Sequence, residues 1–339
     1  MVTLLTHSPT LLLSYSRTHP LTHPMIRAAT PQIELRHLHR VFDQTHAVND
    51  VTFEVYAGEV FGYIGPNGAG KTTSMRILAT LDEPTAGDAF VDGFSVVDDP
   101  DRVRRRLGFM PDYFGTYQNV NVHEYLDFFA RAYGLAGRQR LTAIDQVMEF
   151  TQLDTLAHKP IDGLSKGMKQ RLCLGRTMIH NPSVLVLDEP AAGLDPRARI
   201  ELREMIAQLA ESGKAILISS HILTELAEIC DKVGIIEQGR LLAVGTVAEI
   251  SSRVQVQSIV HVRVLDDGER LTNWLAERQD LSELRVDQNL AVFSFLGDRQ
   301  AEAALLREMI QAGLAVVEFG AKHKSLEDVF LHVTEGRVQ

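Results

Sequence analysis

GPNGAGKTT, residues Gly65 to Thr73, follows the apolar stretch Glu59 to Ile64 and opens a segment of helical character. Glycines at 65, 68 and 70 permit tight turns in which backbone N–H groups converge with no side chain in the way. The full G-x-x-x-x-G-K-[ST] pattern between a strand and a helix is the setting of a phosphate-binding loop. Gly65, Pro66, Asn67, Gly68, Ala69, Gly70, Lys71, Thr72 and Thr73 are therefore expected to cradle a nucleotide. Lys71 would reach the β- and γ-phosphates and Thr72 would offer a hydroxyl to Mg²⁺. The start of the following helix adds its positive dipole end. The loop alone does not say which NTPase this is.

At 339 residues the chain has room for one large domain and one smaller, each with its own core. A net charge of −10 argues against broad attraction to nucleic acid, and no nucleic-acid partner is expected. The cluster Arg102, Arg104, Arg105 and Arg106 reads as a solvated helix face. Cys173 and Cys230 fall in segments of helical character without metal-ligand spacing, so buried reduced thiols in a reducing cytosol are expected. No stretch approaches the ~20 apolar residues of a membrane span, so a role at a membrane must come through a partner. Residues 1–30 set Leu11 to Leu13 among Ser, Thr, His and Pro and read as a disordered extension. The apolar run there is too short for a signal peptide, and His7, His19 and His23 lack the spacing of metal ligands.

From Gln32 the pattern gives short strands, IELRHL, Val51 to Val55 and EVFGYI, the last ending at the phosphate loop. A strand near Ala89 to Val91, a charged segment Asp98 to Arg106 and a strand Leu107 to Met110 follow. Helix-spaced apolar residues over Asn121 to Tyr133 and Ala143 to Phe150 predict a helical subdomain, about 112–180, inserted in the core. The core resumes with a helix Ser165 to His180, strand VLVL at 184–187, a helix Pro196 to Glu211 and strand AILISS at 215–220. Strands fed by helical crossovers make a largely parallel sheet that places ligands at its carboxyl ends. The fold class expected is α/β: a P-loop NTPase core over 31–250, with antiparallel edge strands and the helical insert. Residues 251–339 restart as strand 256–264, helix 269–278, strands 283–287 and 290–296, helix 298–312, strand 314–319 and helix 325–333. This predicts a small α+β accessory domain of ferredoxin-like βαββαβ type, with Trp274 in its core and no catalytic constellation.

In VLVLDEP an apolar strand delivers two carboxylates beside the phosphates. Asp188 is expected to hold Mg²⁺ through water and Glu189 to polarise the attacking water. His221, in SSH just past the next core strand, is placed to touch the γ-phosphate or orient that water. LSKGMKQR, Leu164 to Arg171, begins a helix and offers Ser165, the backbone of Gly167 and a positive helix end, a second anion site. Two half-sites in one chain imply a dimer.

Together these motifs resemble an ATP-binding cassette (ABC) transporter ATPase subunit, over roughly Gln32 to Ile250. GPNGAGKTT is similar to the family's first phosphate motif, LSKGM to its signature, VLVLDEP to its acidic strand, GLDP at 193–196 to its dimer-contact loop and SSH to its switch histidine. The resemblance implies a head-to-tail homodimer in which ATP on one subunit's Lys71 loop is closed by Ser165 and Gly167 of the other. It also implies that Phe42 stacks on adenine, with core packing as the competing reading. The catalytic set it implies is Glu189, His221 and Lys71, with ATP and Mg²⁺ as cofactors. A separately encoded transmembrane permease is the implied partner, holding the subunit on the cytoplasmic face of the membrane. The C-terminal SLEDVFLHVTEG is similar to single-cassette subunits of drug, antibiotic or polysaccharide exporters, so powering export leads. A soluble ABC-type ATPase acting on ribosomes or DNA is the alternative, though such proteins usually carry two cassettes or a long coiled coil.

Two positions depart from the family pattern. Where a glutamine commonly opens the helical subdomain, FMPDYFG places Asp112, which cannot donate as an amide would. Two readings stand for it: a metal contact, direct or through water, or a loop residue. LSKGM replaces the common LSGGQ, and Lys166 is read as facing solvent.

Overall fold

The computed structural model describes residues 30–113, 115, 119–222, 226, 228–253, 257–278 and 280–323. The extension expected over 1–30 lies outside the described residues except for Thr30, and the helix expected over 325–333 lies outside them altogether.

The central sheet is built from strands whose every residue is buried. β3 (Val60–Ile64), β7 (Val184–Leu187) and β8 (Ala215–Ser220) carry no exposed position, the pattern of a parallel sheet covered on both faces. With β6 (Leu107–Met110), β9 (Lys232–Glu237) and β10 (Arg240–Gly245) they form six strands in the order β10-β9-β3-β8-β7-β6. Pairing is parallel from β9 through β6, and β10 closes the edge antiparallel to β9.

Alternate residues of these strands feed two cores. Phe61, Tyr63, Val184, Val186 and Leu217 pack toward Met75, Ile77 and Leu78 of helix α1 (Lys71–Leu78) and toward a second sheet. That sheet joins β1 (Ile33–Phe42), β2 (Thr45–Val55), β4 (Ala86–Val91) and β5 (Phe94–Ser95) in the order β2-β1-β4-β5, all antiparallel. Phe53 of β2 stacks on Phe61 with centroids 4.6 Å apart, which fixes one sheet against the other. Val60, Ile64, Leu185, Leu187, Ile216 and Ile218 face the opposite way.

The short helix Pro100–Arg104 (α2) carries Arg102 and Arg104, while Arg105 and Arg106 lie just past its end; Arg102, Arg104 and Arg106 pair with Asp99, Asp101 and Asp92. Helices α3 (Val122–Ala132), α4 (Gly137–Phe150) and α5 (Lys166–Met178) share a separate core that includes Tyr125, Leu126, Ile144 and Leu172. A reciprocal cap between Asn121 and Glu124 starts α3. Helix α6 (Pro196–Glu211) is capped by Asp195 and buries Leu202, Met205, Ile206 and Leu209, a helix-period stripe on the second core. Each such side chain removed from water stabilises the fold by roughly 1.5–3 kcal/mol.

Beyond β10 comes helix α7 (Val247–Arg253), then β11 (Gln257–Val264), α8 (Gly268–Ala276), β12 (Leu281–Asp287), β13 (Leu290–Leu296), α9 (Arg299–Gln311) and β14 (Val316–His323). The sheet order β12-β13-β11-β14 with all pairs antiparallel is the ferredoxin-like arrangement. Trp274 packs against this core with the Arg278 guanidinium over its ring.

Three local expectations need correction. Cys230 is part-buried in the loop entering β9 and not in a helix, because the chain turns there to bring Asp231 to the Val60 N–H, while Cys173 is buried in α5 as expected. The last strand runs Val316–His323 instead of 314–319, since Gly313 and Leu314 still satisfy the carbonyls that end α9. The β9–β10 hairpin and α7 were not among the elements expected, although Gln238 and Gly239 make its tight turn.

Candidate nucleotide site

The phosphate loop leaves the sheet beside the end of β8, where the Gly65 N–H donates to the Ser220 carbonyl at 3.4 Å. Backbone packing decides two of its glycines. A Cβ on Gly65 would lie 2.2 Å from the Ile236 carbonyl oxygen, and one on Gly70, at φ 104°, would lie 2.2 Å from that of Ala47. Gly68, at φ 80°, faces open space, so there only the turn demands glycine. The tip of the β9–β10 hairpin locks the loop from the far side: Gly239 N–H donates to Ala69 at 2.9 Å, and its carbonyl accepts from Asn49.

Lys71 is 6% exposed and folds back on its own loop, with Nζ donating to the carbonyls of Gly65 at 2.6 Å and Pro66 at 3.2 Å. Burial holds the amine below the usual lysine range, opposed by the charges of Glu189 and Asp188. Asp188 is 1% exposed; its Oδ1 accepts from Ser219 Oγ at 2.6 Å, while buried Oδ2 has no hydrogen-bond partner among the described residues. Burial pushes this carboxyl up, the Ser219 and Thr72 hydroxyls pull it down, and Asp112 and Glu189 push further up. An orphaned carboxylate oxygen beside a threonine hydroxyl and a second carboxylate is a hard oxygen donor set that fits a divalent cation such as Mg²⁺.

Glu189 adopts φ +47°, in the left-handed region that side-chain-bearing residues rarely occupy. Its N–H donates to Ser219 Oγ at 2.8 Å, its Oε2 lies 2.9 Å from His221 Nδ1, and its Oε1 lies 3.6 Å from Lys71 Nζ. Ser219 therefore orients both acids, a role that sequence reasoning missed. The signal available was a serine pair ending an otherwise apolar strand. Residues Asn67 to Thr73, Ala47, Asp112 and Glu189 line one cleft of about 190 Å³, with exposed Asp112 across from the loop.

The structure thus gathers the phosphate loop, Asp112, Asp188, Glu189 and His221 at the carboxyl ends of parallel strands. Ser165 and Gly167 do not line this cleft. Ser165 caps α5 by accepting from the Met168 N–H at 3.3 Å, and Gly167 packs against Ala198. Lys166 is exposed, its amine against Gly193 of the GLDP loop. Phe42 is 43% exposed, with the Arg40 guanidinium 4.4 Å over its ring, so it is not a core residue. It ends β1 opposite Thr45, two residues before Ala47 of the cleft.

A buried lysine in a glycine loop, paired acids at the end of β7, separated by β8 from the loop's own β3, and an inserted helical core define a phosphate-loop ATPase of the ATP-binding-cassette class. Residues 48–192 match the family described as ABC transporter, and residues 245–334 the C-terminal domain of DrrA1-3-like ATP-binding proteins. The uncharacterized ABC transporter ATP-binding protein YxlF of Bacillus subtilis (strain 168) is 36% identical over 302 residues, 89% of this chain and 99% of that protein. Nod factor export ATP-binding protein I of Burkholderia thailandensis is 33% identical over 311 residues, 91% of this chain and 98% of that one. A solved ATP-binding subunit of an ABC transporter superposes with a TM-score of 0.60 at 31% identity, covering 66% of this chain and 92% of its own. The chain belongs to the ABC transporter ATP-binding proteins and is an ATPase that binds ATP. No helix among the described residues is long and apolar enough to cross a membrane.

Proposed function

We propose that two copies of this chain close head to tail around ATP and drive export through a separately encoded transmembrane permease. The observation that supports the chemistry best is Glu189, held between His221 at 2.9 Å and Lys71 at 3.6 Å beside an empty-faced glycine turn. Gly65 to Thr73 would bind the phosphates through backbone N–H groups. Lys71 would exchange its loop carbonyls for phosphate oxygens, which offer a full charge in place of a dipole. Glu189 would accept a proton from the attacking water while His221 holds that carboxylate and senses the γ-phosphate. Thr72 and Asp188, with Asp112 nearby, would hold Mg²⁺, which when bound neutralises charge on the β- and γ-phosphates. Phe42 would carry the adenine on its exposed face.

Ser165 and Gly167 lie outside this chain's own cleft, at the positive end of α5, and a second copy would bring them over the partner's nucleotide. Loss of the γ-phosphate would weaken that joint and release the halves. Cytoplasmic residence on the permease's inner face follows from this scheme. Export, in preference to action on ribosomes or DNA, is supported by alignment along nearly the whole length of a relative named for Nod factor export.

The test is Glu189→Gln. It should keep ATP affinity, lose turnover by roughly 100-fold or more, and accumulate an ATP-bound dimer on size exclusion. Normal turnover would reject the assignment of Glu189.

A further inference from the structure

We propose that Gln170 is a positioning residue for Glu189, and so for water activation; this rests on the reading of Glu189 given above. Gln170 lies on α5, five positions after Ser165, and is 7% exposed, a buried polar side chain that requires a partner. Its Nε2 donates to the carbonyl of Pro190 at 2.6 Å. Pro190 directly follows Glu189 and is itself buried.

Glu189 thus has its backbone held on both sides. The N–H is fixed by Ser219 Oγ at 2.8 Å, its own carbonyl accepts from the Ala192 N–H at 3.1 Å, and the carbonyl of the following Pro190 is fixed by Gln170. A residue at φ +47° reverts to an ordinary conformation unless its surroundings over-determine it. With the Gln170 donor removed, the Pro190–Ala191 peptide loses its anchor and can turn, and the carboxylate of Glu189, the residue before, then swings away from His221 Nδ1 and Lys71 Nζ. The helix that carries Gln170 is also fixed by Arg171, which pairs with Glu201 of α6 and donates to Gln152 at 3.1 Å. Movement of α5 when Ser165 engages a partner's nucleotide is therefore transmitted through Gln170 to this chain's own Glu189. Each copy senses closure at one site and adjusts its acid at the other.

The experiment compares wild type, Gln170→Met, which keeps the size but has no donor, Glu189→Gln and the double variant, all as full chains with Mg-ATP. Gln170→Met is expected to lower kcat roughly 10- to 100-fold, with KM and nucleotide affinity within about twofold of wild type. In the Glu189→Gln background it should lower the residual rate no further, because the two act through one group. Gln170→Glu, isosteric and polar but without a donor at pH 8, should repeat the loss if Gln170→Met proves poorly folded. A normal kcat in both Gln170 variants, with Glu189→Gln inactive, overturns the clamp and leaves the Glu189 reading standing. An equal further loss in the double variant also overturns it. Full turnover in Glu189→Gln overturns the reading beneath it.

Discussion

Replacing Gly70 with alanine puts a methyl carbon 2.2 Å from the Ala47 carbonyl oxygen at a residue whose φ is 104°, whereas the same change at Gly68, φ 80°, meets nothing within 4 Å. Both variants are charged for a left-handed backbone, about 1–2 kcal/mol, offset by roughly 0.5 kcal/mol from a stiffer unfolded chain. Only Gly70→Ala adds a backbone collision, and the atom it meets belongs to β2 and cannot rotate away. Overpacking of that kind costs about 1–3 kcal/mol. Gly68→Ala should therefore lose about 1 kcal/mol and Gly70→Ala about 1.5–4.5 kcal/mol. For a domain of this size that is ~2–4 °C against ~3–18 °C in Tm. Thermal unfolding without nucleotide, followed by circular dichroism, reads the difference directly. Equal destabilisation by the two substitutions would refute the interlock of loop, β2 and hairpin tip.

Asp112→Ala should raise the Mg²⁺ concentration that half-saturates hydrolysis by roughly 10-fold if Asp112 supports the cation, and an unaltered requirement would leave it a loop residue. His180 stacks on Tyr133 at 3.7 Å, with Nε2 3.2 Å from the Leu107 carbonyl, and burial pushes its pKa from 6.5 down to about 4. The unfolded chain thus binds this proton more readily, so its cost appears as pH falls below 6.5 and is complete below about 4. Between pH 7 and 5 the wild type should lose roughly 2 kcal/mol more than His180→Phe in urea unfolding, and parallel pH curves would contradict it.

What was legible in the sequence was what short segments must encode for themselves. The glycines and Lys71 of the loop, the buried VLVL strand ending in two acids, and the Asp195–Pro196 start of α6 all satisfy local backbone demands, and their bounds emerge within a residue or two. The ferredoxin-like unit was legible for the same reason, from alternating strands and helix-period stripes. What was not legible depends on partners distant along the chain. Gly239 meets Ala69 and Asn49 across 170 and 190 positions, and nothing in the Gln238-Gly239 turn announces which loop it will brace. Ser219 could be taken for a strand residue until Asp188 and the Glu189 N–H stand beside it. Phe42 left two readings open because an aromatic at a strand end fits a core as well as a ligand, and its exposure under Arg40 removes the core. Ser165 shows only a helix cap within one chain; its proposed second task requires another copy.

That division of labour between copies is best tested by mixing two inactive variants. Lys71→Ala lacks a working phosphate loop, and Ser165→Arg, at an exposed position, blocks the half-site offered to a partner. In a shared site half the dimers are mixed and hold one intact centre, so the mixture should recover about a quarter of wild-type ATPase activity. A mixture as inactive as either variant alone, with mixed dimers verified, would contradict the account.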